Sequence, residues 1–562
     1  MSAQSPSPGD EKESKSSSYA GRWVASVRGK IVAHGGTPEQ ARRAAKISRH
    51  KEVPEISYME TSQKLFSSPL LDAVIQAIPA GQPLYLIGGA VRDAMLGRAS
   101  HDLDFGLPGD AIRIARRVAK RIGAAFYPLD EERGTARLIM LHDDGTRDIL
   151  DFAAFRGDDL ETDLRGRDFT LNAIAFDLHE QTLLDPLGGA TDLLAKQLRA
   201  CSPTSFSDDP VRILRAVRQA AEFNFHILPE TRAAMKAAVP GLAKISPERQ
   251  RDELFRILEG NRPSSAFQAL EMLGIFNEFL PELAALKDIA QAPPHIQDVW
   301  KHTLSTLKHL DFILGALAPQ YDVSKASNYH HGLLVLRIGR YREQIGQHFA
   351  KSLTADRSMR GLLFLAALYH DIAKPLKQDM GEDGQVRFWG HEIEGADMAV
   401  ERARSLHLSN DEIDRLRIII RGHMRIHSLT REALERQKQP SRRAIYRFFR
   451  DMGEAGVDVI LLSLADLRAT YEHTLPESTW SATLDVSRLL LENLWEKPAD
   501  TVAPPVLLNG NDVMEAFDLN PSPLIGQLLE AIREAQATGE IIERGEALEF
   551  GRDWLARKKT DD

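Results

Sequence analysis

The chain has 562 residues, 43% hydrophobic and 27% charged, with 71 Lys+Arg against 80 Asp+Glu for a formal net charge of -9. That length exceeds one hydrophobic core and predicts several separately packed units, while the ordinary composition excludes a disordered, collagen-like or disulfide-stapled chain. Taken alone, the acidic balance speaks against a nucleic-acid binder, because polyanion binding usually carries a basic excess.

The single cysteine, Cys201, excludes an intramolecular disulfide and a Cys-rich zinc cluster, so a metal would need His and carboxylate ligands and the chain suits a reducing compartment. The opening MSAQSPSPGDEKESKSSS lacks the apolar run of a secretory signal. The apolar run from Leu362 to Tyr369 is far shorter than the roughly 20 residues that span a bilayer. A cytoplasmic protein with no membrane association is expected.

In chain order, residues up to about Ser18 read as disordered, and Trp23 to about Lys64 as a polar, partly helical extension, together forming an N-terminal extension over 1–60. The first strong pattern is a short strand from Leu84 to Ile87, a Gly-Gly turn and a helix start, followed by a second strand in HDLDFGL. A helix from about Ala111 to Ile122 comes next, then the strands ARLIML and RDILDFAAF joined by the turn HDDGT. These elements predict an α+β unit over 61–195. Beyond about Leu193 helical periodicity dominates. The segments QAPPHIQD (Gln291 to Asp298) and EKPADTVAPPV (Glu496 to Val506) divide this part into helical regions at 196–290, 291–495 and 496–562.

Asp102 and Asp104 lie two apart on a predicted strand, so both carboxylates project from one face. Paired carboxylates suit Mg²⁺, which keeps one or two such ligands together with substrate phosphates. Asp151 is the best third carboxylate, with Asp148 in reserve. A lone DxD is also an ordinary strand edge, but here it follows Gly88-Gly89, a turn between strand and helix where backbone can approach phosphate, and Arg92, a cation able to meet a triphosphate bidentately.

The string GGAVRDAMLGRASHDLDF resembles the tRNA nucleotidyltransferase/poly(A) polymerase family, in its bacterial-type class within the polymerase-beta-like superfamily. RGRDFTLNAIAFD (Arg165 to Asp177) is similar to the family's second motif, implying Arg167 and Asn172 near the triphosphate and Asp168 at the ribose. LLDPLGGATDL (Leu183 to Leu193) resembles the third, a hinge between head and neck. SDDPVRILRAVR (Ser207 to Arg218) resembles the fourth, implying nucleotide contacts from Asp209, Arg212 and Arg215, with Asp208-Asp209 where the family usually has Glu-Asp. SPERQRDELFRIL (Ser246 to Leu258) is similar to the fifth, a neck helix. The likeness spans about Thr61 to Arg262. It implies a polymerase-beta-like head with a mixed sheet, an all-α neck, Mg²⁺ as cofactor, and addition of C and A from CTP and ATP to a tRNA 3′ end.

Chemistry supports the fourth motif independently. A carboxylate at Asp209 and a guanidinium at Arg212 match an exocyclic amine beside a ring acceptor, the pattern of cytosine and adenine, and mismatch uracil and guanine. The same residues also read structurally, with Asp209 as a helix N-cap, Pro210 at the first helical position and Arg212 as an i+3 partner. The two roles are compatible.

Farther on, His302 in DVWKHTL, His370-Asp371 in LYHDIAKP and Asp466 in LSLADL place ligand-type residues within or at the ends of apolar helices. Their order resembles the HD phosphohydrolase superfamily over about Pro293 to Tyr471. This implies an all-α domain with a divalent metal of unspecified identity and hydrolysis of a phosphomonoester or 2′,3′-cyclic phosphate, with His391 and His423 as further ligands or phosphate contacts. Such a domain would restore a blocked RNA end for the head.

Arg421 to Arg450 holds nine Lys/Arg and two Glu, a local charge of +7, with Tyr446, Phe448 and Phe449 among the cations. It reads either as an RNA contact or as a packed helix pair. The stripe Arg113, Arg116, Arg117, Lys120 and Arg121 reads as plain surface, and YPLDEERGTARL (Tyr127 to Leu138) as a flexible loop. Three activities remain open: full CCA addition; partial CC, A or poly(A) synthesis; and an HD phosphohydrolase that uses the head to bind RNA.

Overall fold

A computed structural model describes residues 22–27, 30–35, 38–47, 53–59, 68–142, 146–322, 328–354 and 357–561. The opening segment read as disordered lies outside the described residues. The chain divides into two compact units, Met1–Gly241 and Leu242–Asp562.

The first unit is built on a seven-stranded sheet of order β10-β9-β4-β5-β8-β7-β6. Its strands are β4 (Tyr85–Ile87), β5 (Asp102–Leu107), β6 (Ala125–Asp130), β7 (Thr135–Leu141), β8 (Arg147–Ala154), β9 (Ala175–Asp177) and β10 (Thr182–Leu184). All neighbours are antiparallel except β5 and β8. That parallel pair requires a long crossover, and the Ala111–Ile122 helix begins it. Asp110 caps the helix by accepting from the Arg113 N–H at 2.9 Å, and Gly123 ends it at φ 75°. Ile114, Ala115, Val118 and Ala119 are buried beneath it. The basic stripe is surface, as expected: Arg116 lies over the Phe126 ring and Arg117 donates to the Ala77 carbonyl.

Two segments differ from the sequence reading. Residues 22–59 form an antiparallel sheet of order β2-β1-β3, comprising β1 (Arg22–Val27), β2 (Lys30–Gly35) and β3 (Glu55–Met59), with one helix, Pro38–Ile47. Among the described residues of this stretch, Pro38–Ile47 is the one helix, so the extension is partly helical as expected but its strands went unread. Trp23 is 2% exposed and its indole N–H donates to the Met95 carbonyl at 3.3 Å, fastening the extension to the head. Tyr127 to Leu138 is a β6/β7 hairpin, because its alternating residues pair across the turn at Glu131 to Gly134.

The second unit is helical. The neck helix forms over Pro247–Leu258, and Pro293-Pro294 is a cis bond within this unit. The long helix Val299–Ala316 packs along Gly456–Tyr471, bringing His302 opposite Asp466. In Met359–Tyr369 every residue except Arg360 is buried, which explains the apolar run there. Among the described residues, no helix is long and apolar enough to cross a membrane.

The +7 stretch is a packed helix pair. Phe448 and Phe449 are buried, and Tyr446 donates to Glu530 at 3.2 Å. Glu534, on the Pro523–Thr538 helix of the C-terminal tail, accepts ion pairs from Arg443 at 2.9 Å and Arg447 at 2.7 Å. These rings are therefore unavailable for base stacking, and much of the local positive charge is neutralised within the unit. Glu534→Ala should cost about 1 kcal/mol in urea unfolding, with the loss shrinking at high salt, because the arginines are half exposed and their pairs screened.

Candidate functional site

The register of β5 against β8 sets Asp104 directly beside Asp151, with Asp102 two residues earlier on the same face. On the other flank Ile87, the last residue of β4, pairs with Asp104, so the chain leaves β4 into Gly88 at the carboxylates. Gly88 sits at φ 82°, ψ -134°, a conformation open to glycine. A side chain there would meet Arg167 Nη1 at 3.2 Å, Asp104 Oδ2 at 3.3 Å and the Asn172 carbonyl at 3.8 Å. One turn thus gathers the DxD and second-motif residues. Gly89 opens the Gly89–Met95 helix that carries Arg92.

The third carboxylate is held. Arg137, directly opposite Asp151 in the β7/β8 register, donates through Nε and Nη2 to both Asp151 oxygens at 2.8 Å each. Asp148 instead accepts from His101 and His142 at 2.6 and 2.7 Å, which separates it from the acidic face. Asp104 keeps surface access, but the protein packed around its carboxyl, then Asp151 and Asp102, raise its pKa against the opposing pull of Arg167.

Behind these carboxylates lies a buried polar network. Asp168 accepts from the Phe169 N–H at 2.8 Å and from Asn172 Nδ2 at 3.0 Å, and stands 3.1 Å from Arg215 Nε. Burial pushes its carboxyl up, but Arg215, Asn172 and the Phe169 N–H outweigh that and hold it below the usual range. Arg167 is tied to Asp163 at 3.2 Å. Arg92 donates to Asn172 Oδ1 at 2.7 Å and bidentately to Asp93 at 2.9 Å.

The third motif braces this turn. Asp185 accepts from the Gly189 and Ala190 N–H groups, and buried Asp192 accepts from the Thr170 hydroxyl at 2.6 Å. A Cβ on Gly189 would lie 2.0 Å from the Thr170 carbonyl, so only glycine permits the approach.

In the fourth motif, Asp209 is not the N-cap of the Arg212–Phe223 helix. That position is Val211, with no side-chain cap bond. Arg212 donates to the carbonyls of Gly166 at 2.9 Å and of Arg167 and Ser205 at 3.3 Å. Arg212 and Arg215 therefore border the second motif, and Asp209 lies three residues before Arg212 with its Oδ1 buried.

In the second unit all six ligand-type residues converge. The Nε2 of His302 lies 2.9 Å from Asp466 and 3.4 Å from His370 Nε2. The Nε2 of His391 lies 3.3 Å from His423 Nε2 and 3.3 Å from Asp371 Oδ1, while Asp371 Oδ2 faces His370 at 3.2 Å. Two triads result, His302/His370/Asp466 and Asp371/His391/His423, each with ligand atoms within 4.8 Å of one another. His370, His391 and His423 fasten Nδ1 to the carbonyls of Ala367, Phe388 and Ile420, turning Nε2 inward. This is the tautomer a metal requires.

The charges are strongly coupled. Burial opposes ionisation of His370, but Asp371 and Asp466 win and raise it to about 10, whereas burial and the neighbouring His391 and His370 push His423 to about 3. Four imidazole nitrogens facing one another in a buried space, with two carboxylates held well below their usual range, fit a divalent cation pair better than a set of shared protons.

Several residues escaped the sequence reading. His427 binds the second oxygen of Asp466 at 2.8 Å, and Lys374 binds Asp371 Oδ2 at 2.7 Å and Gln291 at 2.7 Å. Their i+4 and i+3 spacing from His423 and Asp371 was the available signal. His295, whose ring lies 5.2 Å from that of His302, sat in the segment taken only as a boundary. Arg137 and Gln219 carried no local signal at all.

Comparison with known proteins gives the family and the fold. The Poly A polymerase head domain matches residues 84–199, the probable RNA and SrmB-binding site of polymerase A matches 224–287, and the HD domain matches 299–466. An A-adding tRNA nucleotidyltransferase of Deinococcus radiodurans is 32% identical over 476 residues, 84% of this chain and 95% of its own. The chain belongs to the tRNA nucleotidyltransferase/poly(A) polymerase family. A CC-adding tRNA nucleotidyltransferase of Thermus thermophilus is 30% identical over 480 residues, covering 84% of this chain and 94% of its own. A CCA-adding enzyme solved with ATP shares the fold at a TM-score of 0.53 and 20% identity, over 86% of this chain and 98% of that one. This nucleotidyltransferase also carries an HD domain with an assembled set of ligand-type residues.

Cys201 sits behind the head site, where its N–H donates to the Asp168 carbonyl and its thiol packs near Ile87, Leu164 and Ala173. Burial first, then Asp168, pushes the thiol up to about 12. Alkylation by iodoacetamide near pH 8 should therefore run at least about a hundredfold slower in the native enzyme than in the unfolded chain, followed by intact mass.

Proposed function

We propose that this nucleotidyltransferase adds C and A from CTP and ATP to tRNA 3′ ends without a nucleic-acid template, and that its HD domain hydrolyses phosphate esters at such ends, 2′,3′-cyclic phosphates included. The observation that carries the first part is the convergence on Gly88 of Asp104, Arg167 and Asn172.

Asp102 and Asp104 would hold Mg²⁺ in the head, since their carboxylates stand open on one face while Asp151 is engaged by Arg137. When bound, the cation lowers the pKa of the attacking 3′-hydroxyl and offsets charge on the leaving pyrophosphate. Arg92 and Arg167 orient the triphosphate, and Asp168, kept ionised by its partners, accepts from the ribose. Asp209 accepts from the exocyclic amine of cytosine or adenine, and Arg212 exchanges a carbonyl partner for the ring nitrogen. Uracil or guanine would leave these groups unpaired, costing about 1–3 kcal/mol per group.

In the HD domain, His302, His370 and Asp466 would hold one divalent cation and Asp371, His391 and His423 a second. The cations would supply Lewis acidity toward a phosphate ester. Lys374, 5% exposed, stands with its Nζ 2.7 Å from Asp371 Oδ2, within reach of a phosphate held at this site.

Partial addition is the second reading, favoured by the names of the A-adding and CC-adding relatives. The test supplies CTP and ATP, singly and together, to tRNAs lacking CCA, CA or the terminal A. Full CCA ends are expected with both nucleotides; products stopping at CC, or bearing only added A, would replace the proposal with partial addition. Asp104→Asn should slow addition about a hundredfold or more. Separately, His370→Ala/Asp371→Ala should abolish hydrolytic opening of a terminal 2′,3′-cyclic phosphate to a monoester while leaving addition intact, and retained hydrolysis would remove the second site.

A further inference from the structure

The nucleotide-facing side chains of the Arg212–Phe223 helix do not end at its arginines. Arg212, Arg215, Gln219 and Phe223 follow one another at spacings of three, four and four, so they form one stripe along the helix. Gln219 is 3% exposed, unusual burial for a neutral amide, and its Oε1 accepts from Asn172 Nδ2 at 3.1 Å. The other Asn172 Nδ2 hydrogen goes to Asp168 Oδ1 at 3.0 Å. With both amide hydrogens committed to acceptors, only Asn172 Oδ1 remains to face Arg92, which donates to it at 2.7 Å. A flipped amide would set N–H against N–H at Arg92 and oxygen against oxygen at Gln219 and Asp168. Four residues on, the Phe223 ring lies 4.5 Å below the Arg92 guanidinium carbon.

We infer that Gln219 is a positioning residue for the nucleotide triphosphate, acting through Asn172 to hold Arg92 in its binding orientation. This rests on the reading that Arg92 meets the triphosphate. The consequence is a mechanical link: the helix that carries base-reading Arg212 at its start also sets the triphosphate cation from its far end. A base seated correctly against the first turn and a triphosphate seated against Arg92 then share one rigid element.

The test measures binding of CTP, ATP and CMP by calorimetry to the full chain and to two variants. Gln219→Met keeps the volume but removes the acceptor, and should weaken CTP and ATP alike by about tenfold while leaving CMP within twofold. Gln219→Glu, which retains an acceptor oxygen, should keep CTP affinity within about threefold of the parent. The preference for C and A over U during tRNA extension should not change. Undiminished CTP affinity in Gln219→Met, or an equal loss for CMP, would overturn the inference. Should that variant fail to fold, Phe223→Leu gives the same test from the other contact: a triphosphate-selective loss of about threefold supports the link, and equal losses for CTP and CMP overturn it. Failure of the parent to bind CTP would instead overturn the underlying reading of Arg92.

Discussion

The head depends on one strand pairing. Because β5 runs parallel to β8 in the register that opposes Asp104 and Asp151, acidic side chains separated by nearly fifty residues share one face. The adjoining β4 ends at that same point, so its exit turn must pass within van der Waals distance of Asp104 and Arg167. A one-residue slip of β5 would turn both Asp102 and Asp104 to the opposite face. The buried Phe105 and Phe152, stacked at 4.7 Å on the other face, oppose such a slip. Packing thereby enforces the chemistry.

Around this face the charges are balanced pairwise. Arg137 neutralises Asp151, Arg167 faces Asp104 and Asp163, Arg215 faces Asp168, and Arg92 is spread over Asp93 and Asn172. The balance resolves the opening puzzle of an acidic chain in a nucleic-acid family. The overall charge of -9 includes the carboxylates proposed to hold cations, and the basic stretch at 421–450 pairs Arg443, Arg447 and Arg450 with Glu530 and Glu534 of the tail helix. Net charge describes neither the head cleft nor any RNA-facing surface.

The parts legible in the sequence are those whose signal is local. The DxD strand, the glycine turn and the Ala111–Ile122 helix announce themselves by spacing, the His and Asp positions by their likeness to the HD superfamily, and helix ends deliver His370, His391 and His423. What escaped is set by tertiary pairing. Arg137 looks like any strand arginine until its register against Asp151 is known, and Gln219 like any helical glutamine until Asn172 arrives from the second motif. The N-terminal strands were obscured by short length and polar surroundings, and the β6/β7 hairpin by a charged turn that imitates a loop.

We propose that the nucleotidyl-transfer site is organised around the approach of the Gly88 backbone to Asp104 and Arg167. It is tested most directly by the rate at which Gly88→Ala extends a tRNA lacking CCA. The added methyl would stand 3.2 Å from Arg167 Nη1 on a backbone at φ 82°, so extension should fall about a hundredfold or more while far-UV circular dichroism is retained. A folded Gly88→Ala enzyme extending tRNA at the parental rate would contradict the account.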